Sequence, residues 1–236
     1  MYKKLVSGLL LITSFVFAGC FDIKEEIFLE KNGSGKYITT IDMTQLKDML
    51  DMLKTMMPDS IKESTDELKS LNSLDSIQTM WKDIDQVAGV TDVKRVKKGE
   101  MIYEISFRFA DIKALNTAMT KKNKSDDSVK VSGDFYTFSA GQFACNDTSF
   151  GGVGDMMKGL NGSAGQDDST AMAMNMMKGF MGDMKYTSIY HLPGKVSSFS
   201  NKNAKLSEDG KTITLEINFS DTEKEQTLKN NIRYNK

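Results

Sequence analysis

The chain has 236 residues, 31 basic against 32 acidic side chains, two cysteines, one histidine and seventeen methionines. That length suits one domain, or one domain with an insertion, and the near-neutral balance lacks the basic footprint that nucleic-acid binding needs. One histidine excludes multi-histidine metal sites, and two cysteines exclude a disulfide framework and four-cysteine iron–sulfur ligation.

The N-terminus carries an address. Lys3 and Lys4 precede an apolar run, Leu5–Phe17, which falls short of the roughly 20 residues a spanning helix needs. Positive charge, a short apolar stretch and then small residues read as a signal peptide over 1–19, removed on maturation. The stretch ends in Phe17-Ala18-Gly19-Cys20, which resembles the lipobox of bacterial lipoproteins. In that family the cysteine takes a diacylglycerol and the signal is cut before it. The resemblance therefore implies lipidation of Cys20, palmitate-type acyl chains and a membrane partner reached through them. Two or three acyl chains, at about 0.8 kcal/mol per buried CH₂, anchor a protein stably. Losing Lys3 and Lys4 takes the formal net charge from −1 to −3, which selects no acidic or basic partner. Cys145 is then left without a second cysteine. No CxxC or neighbouring base surrounds it, so it reads as a buried, inert thiol. Phe21-Asp22-Ile23-Lys24-Glu25-Glu26 reads as the start of a first strand, and also resembles the surface-export signal of Bacteroidetes lipoproteins.

Beyond the anchor, 21–31 and 36–43 form a predicted hairpin across Asn32-Gly33-Ser34-Gly35. Leu46, Met49, Leu50, Leu53, Met56 and Met57 share one face of a predicted helix over 44–57, stopped by Pro58. Ile61, Leu68, Leu71, Leu74, Ile77, Trp81, Ile84 and Ala88 give a second predicted helix, 60–88, with Gly89 as its C-cap. Val90–Lys97 and Glu100–Ala110 read as a hairpin across Lys98-Gly99. In its second strand Met101, Tyr103, Ile105, Phe107 and Phe109 alternate with polar residues, as in an antiparallel sheet with one wet face. A third helix, 111–122, is capped by Asp111, and 129–139 is strand-like again.

Composition then shifts. Nine of the eighteen glycines lie in 141–182 and eight of the seventeen methionines in 156–184, so 144–183 reads as a flexible Met/Gly-rich insertion. Strands return at 185–192, 195–200, 205–206 and 212–219, with turns at Pro193-Gly194 and Asp209-Gly210; the tail from 221 suits a short helix or strand. Tyr190-His191-Leu192-Pro193-Gly194-Lys195-Val196 followed by Asp209-Gly210-Lys211-Thr212 resembles the Leu-Pro-Gly segment and following hairpin of LppM-type lipoprotein domains. The opening hairpin is similar to that of many Bacteroidetes lipoproteins. These resemblances imply an α+β domain displayed from a lipid anchor, and they supply no catalytic residue. The fold class expected is thus α+β: a mostly antiparallel sheet with amphipathic helices packed on one face.

No catalytic constellation is legible. His191, the one histidine, is a base without a G-x-S-x-G elbow and reads as a half-exposed strand residue. Gly151-Gly152-Val153-Gly154 lacks the closing Gly-Lys-Ser/Thr of a phosphate loop, and the acidic pairs Asp126-Asp127 and Asp167-Asp168 lack calcium-loop spacing. Met172, Met174, Met176 and Met177 are weak candidate Cu(I) ligands, because thioethers select that ion, or else an adaptable apolar patch. Ser60, Ser76, Ser128 and Ser169 lie in Asp-Ser-x triplets that resemble Bacteroidetes O-glycosylation sites, and Asp-Ser is also good helix-start chemistry. The expectation is a non-catalytic, membrane-anchored envelope binding or scaffold module, without cofactor, on the outer membrane and facing the periplasm or the surface. The alternatives are a carrier of an amphiphile held between sheet and helices, and a Cu(I)-binding protein.

Overall fold

The structure, a computed structural model, describes residues 22–45, 47, 81–122, 134–146, 184–218 and 227–235. It opens with the predicted hairpin. β1 (Asp22–Leu29) and β2 (Gly35–Asp42) pair antiparallel, in register from Asp22↔Asp42 to Leu29↔Gly35. The turn is closed by the Glu30 N–H donating to the Ser34 carbonyl, and the Asn32 side chain accepts from the Ser34 N–H. β3 (Val90–Lys97) and β4 (Ile102–Phe109) form the second hairpin, and β4 pairs with β2. β7 (Lys185–His191) lies beside β1, followed by β10 (Thr212–Asn218) and the short β9 (Lys205–Leu206). The order across this seven-stranded sheet is β3-β4-β2-β1-β7-β10-β9.

The expected α+β class fits broadly, and two features refine it. The sheet is mostly antiparallel but mixed, because β1 and β7 run parallel, Asp22 beside Lys185 through Phe28 beside His191. A second sheet is also present. β5 (Tyr136–Ser139), β6 (Gln142–Cys145), β8 (Val196–Phe199) and β11 (Asn230–Tyr234) pair in the order β5-β6-β11-β8. The tail is therefore a strand. β6 occupies the first residues assigned by composition to the insertion, whose 147–183 lie outside the described residues.

Two of the three expected helices lie mostly outside the described residues. Among the described residues there is one α-helix, α1 (Ile112–Lys122), started by the Asp111 carboxylate accepting from the Ala114 N–H. The predicted helix 44–57 is described only in its first turn, where the Asp42 carboxylate accepts from the Thr44 N–H and hydroxyl. Of 60–88 only the end is described, and it is a 3₁₀ turn over Lys82–Gln86 rather than α-helix. Three residues per turn put Trp81, Ile84 and Val87 on one face, and all three are buried while Ala88 is exposed. The Arg95 guanidinium holds this turn, donating to the Trp81 carbonyl and the Asp85 carboxylate. Val87, not the expected Gly89, is its C-cap; Gly89, at φ +83°, lies in the turn that leads into β3.

The core lies on one face of the large sheet. Alternation places Ile27, Leu29, Tyr37, Tyr103, Ile105, Phe107, Phe109, Tyr186, Tyr190, Ile213, Leu215 and Ile217 inward, all buried. Fully burying one such side chain is worth about 1.5–3 kcal/mol. α1, with Leu115 fully buried, and the 3₁₀ turn pack on this face, and the small sheet joins them, with Phe143 packing its ring 5.3 Å from that of Tyr190. Asn116 of α1 locks helix to small sheet, exchanging two hydrogen bonds with the Tyr136 backbone.

Leu192-Pro193-Gly194 carries the chain from one sheet to the other. A Cβ at Gly194 would lie 1.7 Å from the Asn235 carbonyl oxygen, so only glycine lets β7 lead into β8 past the end of β11. Among the described residues, no helix is long and apolar enough to cross a membrane.

Candidate functional site

On the outer face of the large sheet, β1, β7 and β10 bring four side chains together. Phe28, His191 and Thr212 lie abreast on the three strands, and Glu26 is diagonal to His191. The Phe28 and His191 rings stack with centroids 4.0 Å apart and planes within 7°. His191 Nε2 is 3.2 Å from Glu26 Oε2, and His191 Nδ1 is 3.3 Å from Thr212 Oγ1. With its proton on Nε2, the imidazole donates to the carboxylate and accepts from the hydroxyl. Lys24 pairs with the other Glu26 oxygen at 2.7 Å. The hydrogen bond from His191, helped by Lys24 and opposed by burial, holds the Glu26 carboxyl down at about 2.

Carboxylate, imidazole and hydroxyl in series are the parts of a nucleophile relay. Such a relay also needs donors aimed at a developing oxyanion. Here β7 is paired on both sides, by β1 and β10, so its N–H groups are spent on the sheet. The arrangement is a charge-paired patch with an exposed aromatic edge at Phe28.

The inner face holds a second cluster. Glu25 is only 3% exposed and lies among Tyr37, Tyr136, Tyr186 and Tyr190, with Thr39 and Ser188 buried on the same face. The Tyr186 hydroxyl donates to the Glu25 carboxylate. Burial pushes the phenols of Tyr136, Tyr186 and Tyr190 well up, helped by Cys145 at Tyr136 and Tyr190 and by Glu25 at Tyr186, so they stay protonated. The buried Tyr190 hydroxyl lies beside the Cys145 thiol and the Ser188 hydroxyl.

Of the sequence-predicted residues, Cys145 sits in β6 at 2% exposure, and His191 ends β7 half-exposed. Cys20, Ser60, Ser76, Ser128, Ser169, Met172, Met174, Met176 and Met177 lie outside the described residues. Among the described residues, no group of three or more His, Cys, Asp or Glu side chains is placed to hold a metal ion. Sequence reasoning missed Glu26 and Thr212 as the partners of His191, because strands so far apart in the chain leave no spacing signal. It also missed Glu25, for which a signal existed: Ile23, Ile27 and Leu29 put residue 25 on the core side of β1.

No family model matches the chain, and no curated protein matches it in sequence. Among solved structures, it is similar to the folded domain of LppM from Mycobacterium tuberculosis, determined by NMR. The two share 12% identity at a TM-score of 0.41, over 94% of this chain and 95% of that one. A likeness of that degree supplies no residue correspondence.

Proposed function

We propose that this chain is a lipid-anchored protein of a bacterial cell envelope, whose folded domain binds a partner rather than transforming one. The observation that supports this reading is the order of features at the N-terminus. Lys3-Lys4, the apolar run to Phe17 and Ala18-Gly19-Cys20 are followed after a single residue by the first strand. Acylated at Cys20, the mature protein is held on the membrane by its acyl chains. Its localisation is the outer membrane, facing the periplasm or the surface.

Intact-mass measurement of the membrane-extracted protein tests this. The expected product begins at Cys20 and carries diacylglycerol, and Cys20→Ala moves the chain to the soluble fraction. An unmodified mass, or unchanged membrane partitioning of Cys20→Ala, would overturn it. Native mass spectrometry of the anchor-free domain, purified from its own envelope, weighs the rival readings. A retained amphiphile would favour a carrier, and bound copper lost in Met174→Ala/Met176→Ala would favour a Cu(I) protein.

A further inference from the structure

A sheet that does not close leaves two edge strands, each with a row of backbone N–H and C=O groups that its own sheet does not use. The edges of this fold differ in length. β9, at one edge of the large sheet, has two residues. β5 and β8, at the edges of the small sheet, have four each, and Asn116 occupies the backbone of β5 at Tyr136. β3, at the other edge of the large sheet, runs for eight residues and pairs with β4 on one side. The Lys98 N–H donates to the Ile102 carbonyl. The antiparallel alternation then turns the backbone groups of Lys94 and Val96 toward β4, and those of Arg95 and Lys97 away from it. Among the described residues, no hydrogen bond takes up these outward groups.

A bulge ends the open stretch. The register shifts between Thr91 and Lys94, and Asp92 stands at φ +54°, in the left-handed region. What remains is 93–97. Val93 is half-buried against the core, and Val96 is 45% exposed on the outer face. Cations crowd this strand and its turn. Arg95 is held by Asp85, and Lys98 by Glu104, so those four charges cancel in pairs. Lys94 and Lys97 are exposed, and among the described residues neither has an acid within ion-pair distance. Lys97 lies over the Tyr103 ring instead. Asp92, the one acid of the strand, sits in the bulge.

We propose that the β3 edge over 93–97 docks an extended, acidic segment of another protein, which adds one more strand to the large sheet. This rests on the reading that the folded domain binds a partner, and it names that partner's chemistry. The outward main-chain groups of Arg95 and Lys97 supply the attachment, and the side chains beside them choose what attaches. Acids opposite Lys94 and Lys97 meet the two unpaired charges. Apolar residues opposite Val93 and Val96 cover the exposed Val96 side chain. The same cations turn away a second copy of this chain. Antiparallel pairing of two such stretches about their middle sets Arg95 opposite Arg95, with Lys94 and Lys97 of both copies alongside. Like charges directly opposite destabilise a strand pair.

The test follows amide hydrogen exchange by mass spectrometry in the full lipidated chain, held in non-ionic detergent micelles. The probe is a synthetic peptide of three Glu-Val-Thr repeats. Paired antiparallel, its period sets Glu opposite Lys94 and Lys97, and Val opposite Val93 and Val96. The expected result is slowed exchange over 93–98. That slowing is lost when Pro replaces the central Val of the peptide, because Pro cannot donate to the ladder. It is absent with a Lys-Val-Thr peptide. Lys94→Glu/Lys97→Glu, at two exposed positions, is expected to weaken binding of the acidic peptide about tenfold. Unchanged exchange over 93–98 would overturn the proposal. Slowing confined to β1 and β7 would also overturn it, while keeping the domain a binding module. Equal binding of the proline peptide would overturn strand addition, and equal binding of the lysine peptide would overturn the choice of an acidic partner. The anchor fails separately, on an intact mass without lipid at Cys20.

Discussion

Glu25 and Glu26 are the same residue one position apart, and they live in different media. Glu26 faces outward, pairs with His191 and Lys24 within reach of water, and is held ionised down to about 2. Glu25 faces inward, is 3% exposed, and takes the Tyr186 hydroxyl inside a layer of tyrosines. A strand's period of two separates them completely. On the outer face a carboxylate is a screened, titratable contact that pH can switch off. On the inner face it is part of the packing, because the groups around it have no water to fall back on.

Four substitutions break or sharpen that contrast. Glu25→Ala has the largest expected effect, about 3 kcal/mol of lost stability, because it opens a void and strands the Tyr186 hydroxyl. A urea midpoint equal to that of the parent would place Glu25 in the outer class. Tyr186→Phe keeps the shape and removes one donor to a buried carboxylate, so about 1.5 kcal/mol is expected in the same measurement.

Glu26→Gln is expected to cost about 1 kcal/mol at neutral pH and less in high salt, since the pair is screened. The sign follows from its depressed titration. The ionised form stabilises the fold fully above the ordinary value of 4.5, and this contribution fades as pH falls toward about 2. Unfolding curves across that window are expected to be flatter in Glu26→Gln than in the parent; parallel curves would remove His191–Glu26 as an acid-sensitive contact. Tyr190→Phe is the smallest, within about 0.5 kcal/mol of the parent, because its buried hydroxyl has no hydrogen-bond partner among the described residues. A loss above about 1 kcal/mol would mean that the hydroxyl is paired.

Local chemistry made much of the fold legible. The turns at Asn32-Gly33, Lys98-Gly99 and Asp209-Gly210 fall where their residue types predict, and each joins antiparallel neighbours. The alternation of Tyr103, Ile105, Phe107 and Phe109 correctly marks the buried face of β4. Misreadings arose where a period was ambiguous or a partner distant. Trp81, Ile84 and Val87 fit a 3₁₀ period of three, which an α-helical stripe ending in Ala88 obscures. The short β6 sits against composition that suggests a loop, and its place is set by pairing with β5 and β11.

By itself the sequence determined the elements built from neighbouring residues, the core face of each long strand, and the address-like N-terminus that motivates the functional reading. Tertiary structure alone decided that β1 and β7 lie side by side, and with that the meeting of Glu26, His191, Phe28 and Thr212. The reason is physical. Turns and periodicity are fixed by interactions within a few residues, whereas strand order is fixed by which apolar faces bury one another across the whole chain.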